Sequence, residues 1–406
     1  MIFDNQLRYA TEIVETYKGD MPLHAWLKDY FRLNKQMGSR DRKTLSTLVY
    51  GFYRLGHAVK SLPIKDRLLA GLFLCNEQPG ELLTHFKPHW TEKAAGPLPE
   101  KIAFFQQQPE GLAFRPTDIF PWKDELSPDI DHETFCLSFL RQPDLFLRIR
   151  PGNETAVREK FSGLGEFIPP STLRLPNGSK IEDYFTPDKE VVIQDYSSQR
   201  VADFLKPPAV APDQQQAASQ PGTKGPAAKT PHFFWDACAA SGGKSILAYD
   251  LYPGLDILVS DIRESIIHNL KIRFQTAGIK KYNSFLTDLS KQKPPASAVN
   301  AELILTDVPC TGSGTWGRTP EELYFFDPAA ILRYSTLQQR IMANIAPQVA
   351  PDATLVYCTC SVFKKENEEI IAYIRDTSRL KIQVAENLKG YEQHADTLFA
   401  ARFSRL

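Results

Sequence analysis

Four of the six cysteines fall after residue 237: Cys238, Cys310, Cys358 and Cys360. Cys310 closes the run Asp307-Val308-Pro309-Cys310, and Cys360 lies in Cys358-Thr359-Cys360-Ser361. A thiolate is a strong nucleophile, and a carboxylate beside it can stabilise developing charge or carry a proton. Two thiols grouped with Asp307 would suit covalent catalysis. Taken singly, each cysteine is more simply a small buried hydrophobe. No C-x-x-C pair or His cluster accompanies them, so neither a structural zinc site nor any other metal is expected. The chain opens on MIFDNQLRYATEIVE, without a basic and then apolar leader, so thiols kept reduced in the cytoplasm are expected.

A second group of residues is suited to holding a ligand. Asp236-Ala237-Cys238-Ala239-Ala240-Ser241-Gly242-Gly243-Lys244-Ser245 combines small residues with a Gly pair, which lets backbone approach a ligand and begin a helix. Its GGKS ending imitates a P-loop, but that motif needs Gly where Cys238 stands. A tight strand-to-helix turn with no ligand remains open on these residues alone. Asp261 follows the Gly pair by about 20 residues, the spacing of a carboxylate that holds two ribose hydroxyls. It could equally cap a helix over 264–274. Asp288 could accept from an adenine amino group. Gly312, Gly314 and Gly317 satisfy G-x-G-x-x-G, yet they follow a fourth strand instead of opening the first strand-to-helix turn, which argues against a dinucleotide there.

The elements that must position these groups are readable after residue 231. Short apolar strands at Phe233-Phe234-Trp235, Ile257-Leu258-Val259, Leu303-Ile304-Leu305 and Leu355-Val356-Tyr357 alternate with helical patterns such as Glu264–Phe274 and Ile331–Ile345. That rhythm predicts a doubly wound, mostly parallel sheet covered on both faces, with ligands beyond the carboxyl ends of its strands. In a strand order of 3-2-1-4-5, strands four and five are neighbours about 5 Å apart. Their ends would bring Cys310 and Cys360 together beside Asp307.

Four regions are expected. Residues 1–135 read as an all-helical domain, with Leu7, Ala10, Ile13, Val14 and Tyr17 on one face and Leu45, Leu48, Val49, Phe52 and Leu55 on another. Residues 136–206 read as a small α+β subdomain with extended runs near 145–151 and 190–194. A helix there is expected to start at a Ser197-Ser198 hydroxyl cap and to continue through Val201 to Leu205. Residues 207–231 are low-complexity Pro, Ala, Gln and Gly, expected to form a mobile insertion. Residues 232–406 form the candidate catalytic domain.

Across 406 residues, 48 Lys and Arg balance 48 Asp and Glu, and hydrophobic residues make up 42 %. Overall disorder and a uniformly basic polyanion-binding coat are thereby excluded. The balance is uneven along the chain: residues 28–60 carry eight basic against two acidic side chains, and 141–180 carry seven against four. Arg148, Arg150 and Lys180 are candidate phosphate contacts. No stretch approaches the roughly 18 apolar residues of a membrane helix, so no membrane partner is expected.

The motifs resemble those of the RsmB/Nop/Sun family of RNA cytosine-5 methyltransferases. The resemblance is carried by Asp236–Ser245, Asp307–Gly314, Thr359-Cys360-Ser361 with Glu366-Asn367-Glu368, and Gln194-Asp195 with Ser197-Ser198-Gln199. Residues 1–60, with Arg40-Asp41-Arg42 before Leu48–Arg54, are similar to a NusB-like helical RNA-binding domain. The resemblance implies a Rossmann-like methyltransferase domain using S-adenosyl-L-methionine. Cys238, Ala239, Ala240, Ser241, Gly242, Gly243 and Lys244 would then form the cofactor loop, with Asp261, Asp288 and Asp307 also at the cofactor. Cys360 would be the nucleophile, Cys310 the residue assisting product release, and Asp307 the group stabilising the ring or supplying a proton. Cytosine carbon 5 is too poor a nucleophile to attack a methyl sulfonium; thiolate addition at carbon 6 makes it an enamine carbon that can. Ser241 departs from the family's Pro, Arg150 from its Asn, Asp396–Ala400 from its D-G-F-F-x-A, and Gly317-Arg318 leaves only Arg318 of two common arginines for a phosphate. The expected target is small-subunit ribosomal RNA bound by a monomer. Transfer RNA and a catalytically idle RNA-binding assembly factor are the alternatives.

Overall fold

The computed structural model describes residues 2–405 apart from 79, 162, 164 and 208–229. The low-complexity stretch expected over 207–231 therefore lies almost wholly outside the described residues. Packing divides the chain into two units, one of Met1–Pro143 with Ser313–Ala330 and Tyr391–His394, the other of Asp144–Gly312, Ile331–Gly390 and Ala395–Leu406. Among the described residues no helix is long and apolar enough to cross a membrane.

The first unit is helical. Ile2–Thr16 buries Leu7, Ala10 and Ile13, with Tyr17 just beyond it, and Ser39–Arg54 buries Leu45, Leu48, Val49 and Phe52. Those are the stripes that the three-and-four spacing marks out, because only such spacing presents one apolar face to a core. The helices Ser39–Arg54 and Ile64–Cys75 meet at Gly51 and Gly71. A Cβ on Gly71 would lie 2.4 Å from the Gly51 carbonyl, so only glycine permits that approach. The later segment Pro320–Phe325 is built into this unit: Glu321, 2 % exposed, accepts the Leu23 N–H at 3.0 Å. A division of the chain by sequence order alone does not reveal that return.

The second unit contains two sheets. The smaller is antiparallel, in the order β2-β3-β1-β4, formed by β1 (Leu145–Ile149), β2 (Glu166–Ile168), β3 (Thr172–Leu175) and β4 (Val191–Ile193). The larger comprises β5 (Phe233–Asp236), β6 (Asp256–Asp261), β7 (Tyr282–Leu286), β8 (Leu303–Asp307), β9 (Thr354–Thr359), β10 (Leu380–Leu388) and β11 (Leu398–Arg405). Its order is β10-β11-β9-β8-β5-β6-β7, parallel from β9 to β7 and antiparallel at β11 and β10. The expected 3-2-1-4-5 arrangement is present and is extended by an antiparallel pair beside β9. Alternate residues enter separate cores: Phe234, Ile257, Leu305, Val356 and Cys358 join one, and Trp235, Leu258, Ile304, Leu355 and Tyr357 the other. Because successive side chains point to opposite faces, both faces are covered, which explains the continuously apolar strands.

The helix expected to start at a serine cap is two short helices, Tyr196–Arg200 and Ala202–Leu205. Its cap is Asp195, whose carboxylate accepts the Ser197 N–H at 2.9 Å. A carboxylate at a helix N-terminus also complements the macrodipole, which a neutral hydroxyl does less well.

Candidate active site at the strand ends

The Gly turn joins β5 to the helix Gly243–Leu251. Ala240 and Gly242 have left-handed φ values of 46° and 80°, and a Cβ on Gly242 would sit 2.9 Å from the Phe274 ring. Next to Gly243 no such obstruction exists; the nearest atom to a Cβ there is an Arg273 nitrogen 3.8 Å away. Ser241, where the resemblance implies proline, accepts from Arg273 through both its carbonyl and its hydroxyl, at 3.0 and 3.1 Å. Arg273 pairs in turn with Asp188 at 2.7 Å. The substituted position is thus tied down by a different means.

Carboxylates mark the ends of neighbouring strands. Asp236, ending β5, is 1 % exposed, accepts from the Ser245 hydroxyl at 2.6 Å through one oxygen, and has no partner for the other. Burial above all raises its pKa to about 7, with Asp307 adding to the rise and Ser245 opposing it. Asp261, ending β6, accepts the Ala240 N–H at 3.1 Å and the Arg263 N–H at 2.9 Å, while the exposed Arg263 guanidinium covers its remaining positions. Asp288 lies two residues past β7 and accepts from Ser290 and Lys291. Asp307, ending β8, pairs with Lys244 at 2.7 Å. Burial disfavours the Lys244 charge, but the Asp307 carboxylate outweighs it and the ammonium pKa is raised.

This donor set suits a ligand with a vicinal diol and a positive charge. Asp261 lies beside the turn, its oxygens held by backbone and by a solvent-facing guanidinium that a diol could replace, and the Gly243 flank is open. Cys238, Ala239, Ala240, Ser241, Gly242 and Gly243 would supply backbone to such a ligand, with Asp261 and Asp288 at or just beyond the neighbouring strand ends.

The thiols meet at the β8 and β9 ends. Adjacent pairing of Asp307 with Cys358 places Cys310 and Cys360 just beyond the sheet, with their sulfurs 3.2 Å apart. The Cys310 pKa is raised well above the ordinary thiol range, first by its hydrogen bond to Cys360 and then by burial. Cys358 belongs to the core at 0 % exposure, which makes it the packing cysteine of the group.

One network below the thiols is not apparent from residue spacing. Glu366, fully buried, accepts from the Thr311 N–H at 2.8 Å, the Thr311 hydroxyl at 2.6 Å, the Ser361 hydroxyl at 2.8 Å and the Gln338 amide at 3.2 Å. Gln338 also donates to the Pro309 carbonyl at 3.0 Å. The sequence signal is the place of Gln338 on the apolar stripe of the helix Ala329–Ile345, seven residues from Ile331 and Ile345 and three from Ile341, although that spacing does not name Glu366 as its partner.

Two expected phosphate contacts are corrected. Arg148 and Arg150 are 5 % and 8 % exposed and share the Asp250 carboxylate at 2.6 and 2.7 Å. Arg148 also donates to Gln194, and Arg150 to the Asp188 and Ala277 carbonyls. Arg148 on β1 and Arg150, one residue past its end, both turn inward, where a buried charge demands a partner. Lys180 is exposed. Arg318 belongs to the helical unit, where its N–H donates to the Thr315 carbonyl at 2.8 Å.

Sheet order, Gly turn and strand-end carboxylates together define a Rossmann-like methyltransferase domain. Residues 227–401 match the family described as 16S rRNA methyltransferase RsmB/F. It is 30% identical to the probable ribosomal RNA small subunit methyltransferase B of Synechocystis sp. over 60% of this chain and 52% of that protein. The Bacillus subtilis protein of the same name is also 30% identical, over 50% of this chain and 41% of its own. The match thus spans about half the length of these two relatives. The ribosomal RNA small subunit methyltransferase B of Enterobacter sp. is 23% identical over 94% of this chain and 87% of its own length. Among solved structures, that of PH0851 covers 98% of this chain and 97% of its own with a TM-score of 0.63 at 18% identity. A methyltransferase homologue from Pyrococcus horikoshii covers 75% of this chain and 98% of its own at 0.53 and 17% identity. These two likenesses concern the fold.

Proposed function

We propose that this protein methylates carbon 5 of a cytosine in small-subunit ribosomal RNA, with S-adenosyl-L-methionine as methyl donor. The observation carrying the proposal is the pair of thiols, 3.2 Å apart at adjacent strand ends beyond Asp307. The names of the relatives favour ribosomal RNA as the substrate. When bound, the cofactor supplies an electrophilic methyl group; the turn Cys238–Gly243 and the carboxylates of Asp261 and Asp288 hold it.

Cys360, as thiolate, adds to carbon 6 of the ring, and the electron pair displaced reaches carbon 5, which takes the methyl group. Asp307, oriented by Lys244, faces the ring nitrogen and amino group where charge develops. Release requires loss of the carbon-5 proton and breakage of the carbon 6–sulfur bond, which returns its electrons to Cys360. Cys310, its sulfur 3.2 Å from that of Cys360, is the neighbouring group for that step.

Methylation of ribosomal RNA by the purified chain, read by bisulfite sequencing, tests the reaction and its target together. Cys360→Ala is expected to abolish product, and Cys310→Ala to accumulate a protein–RNA adduct that survives denaturing gels. Full activity of the Cys360 variant would overturn the proposal.

A further inference from the structure

We propose that Glu366 is a positioning residue whose carboxylate holds Cys310 and Cys360 in register. The role in catalysis rests on the reading of the two thiols given above; the geometric role does not. Thr311 directly follows Cys310, and Ser361 directly follows Cys360. Glu366 binds both, taking two hydrogen bonds from Thr311 and one from Ser361. The two hydroxyls also lie 3.3 Å from one another. Gln338 fixes the same assembly from the opposite direction, joining Glu366 to the carbonyl of Pro309, the residue before Cys310.

The neighbours of Glu366 are themselves held. The Tyr357 hydroxyl donates to the Glu366 carbonyl at 2.7 Å, and Asn367 accepts from the Thr359 hydroxyl at 2.6 Å while donating to the Ser361 carbonyl at 2.9 Å. The loop after β9 is therefore fixed to its own strand, and Glu366 reaches from it to the loop after β8. Strand pairing ends at Asp307 and Cys358, so the sheet itself does not set the distance between sulfurs beyond it. Past the last backbone bond, from the Val308 N–H to the Cys358 carbonyl at 3.2 Å, side-chain bonds join the two loops, and Glu366 accepts three of them.

Charge is not required for this task. A glutamine amide at 366 can turn its carbonyl to the Thr311 N–H and Gln338, and its NH2 to the two hydroxyls, which also accept. Alanine can do neither and leaves buried donors without a partner. A carboxylate acting as an acid or base would fail in both variants.

The test uses the full chain without RNA and then with it. Wild type, Glu366→Gln and Glu366→Ala are equilibrated in glutathione buffers, and the Cys310–Cys360 disulfide is read by mass spectrometry. Each disulfide formed consumes one oxidised glutathione and releases two reduced molecules, so the equilibrium constant reports how well the thiols are juxtaposed. Glu366→Gln is expected within about threefold of wild type, and Glu366→Ala lower by at least about tenfold. With RNA, Glu366→Ala is expected to lower kcat about 10²-fold with KM for S-adenosyl-L-methionine little changed, and Glu366→Gln to restore most of kcat. A folded Glu366→Ala protein with the wild-type disulfide constant would overturn the inference. If that variant does not fold, Ser361→Ala and Thr311→Val, each removing one hydroxyl from the cluster, decide it: lowered constants support the clamp and unchanged ones refute it. If wild type fails to methylate RNA while Glu366→Ala still lowers the constant, the proposed reaction falls and the clamp stands.

Discussion

Two basic stretches of the chain meet opposite fates. In residues 28–60, Arg32, Lys35, Arg40, Arg42 and Lys43 are exposed. On β1 and just past its end, Arg148 and Arg150 are buried and share one carboxylate, Asp250, about a hundred residues further along the chain on the helix Gly243–Leu251. A count by stretch does not separate the two fates: Arg54, within 28–60, is 3 % exposed and donates to the Phe139 carbonyl, whereas Lys180, within 141–180, is exposed. A cation turned inward by strand alternation is worth what its partner makes it worth, and the partner is invisible to a local charge count. Arg148 and Arg150 link the small sheet to the first helix of the larger sheet within one unit, a structural task.

The largest expected effect breaks that link. Asp250→Ala leaves two buried guanidiniums without their carboxylate and should cost about 3–5 kcal/mol of stability. Urea unfolding followed by circular dichroism would measure it, and a loss below about 1 kcal/mol would mean that the cluster is solvated. A smaller effect comes from Asp236, a buried carboxylate with no such cation bonded to it. Its folded pKa of about 7 lies above the ordinary value of 3.8, chiefly through burial. The protonated form is therefore the one the fold favours. The stabilisation is fully present below the unfolded pKa and is lost as pH rises through 7. Between pH 6 and 8 the wild type should lose roughly 1 kcal/mol that Asp236→Asn does not lose. Parallel stability curves for the two proteins over that range would contradict the assignment.

The same contrast explains what was legible in the sequence. Strand order, the Gly turn and the meeting of Cys310 with Cys360 follow from patterns that act over short distances or through fixed topology: apolar runs, glycine spacing, adjacency of strands four and five. The helix stripes through Leu7 and Leu45 are equally local. What escaped depends on side chains brought together from distant segments. Asp250 beneath Arg148, Gln338 beneath Glu366, and Glu321 returning to cap Leu23 each need tertiary structure before their partners can be named. The Asp195 cap escaped for a different reason, since Asp195, Ser197 and Ser198 could each cap that helix and only backbone geometry selects one.

The smallest effect separates exposed from buried cations directly. Lys180→Ala and Arg40→Ala remove charges that face solvent, so each should alter stability by less than about 0.5 kcal/mol. If either side chain contacts phosphate, RNA affinity should fall by less than about tenfold and the slope of log affinity against log salt should decrease by about 1. Arg148→Ala should behave in the opposite way, lowering stability while leaving the salt slope of the remaining folded protein unchanged. Filter binding of ribosomal RNA across a salt series, run beside thermal unfolding, distinguishes the two patterns. A changed slope for folded Arg148→Ala would show the guanidinium reaching RNA, and the division between structural and RNA-facing arginines would then have to be redrawn.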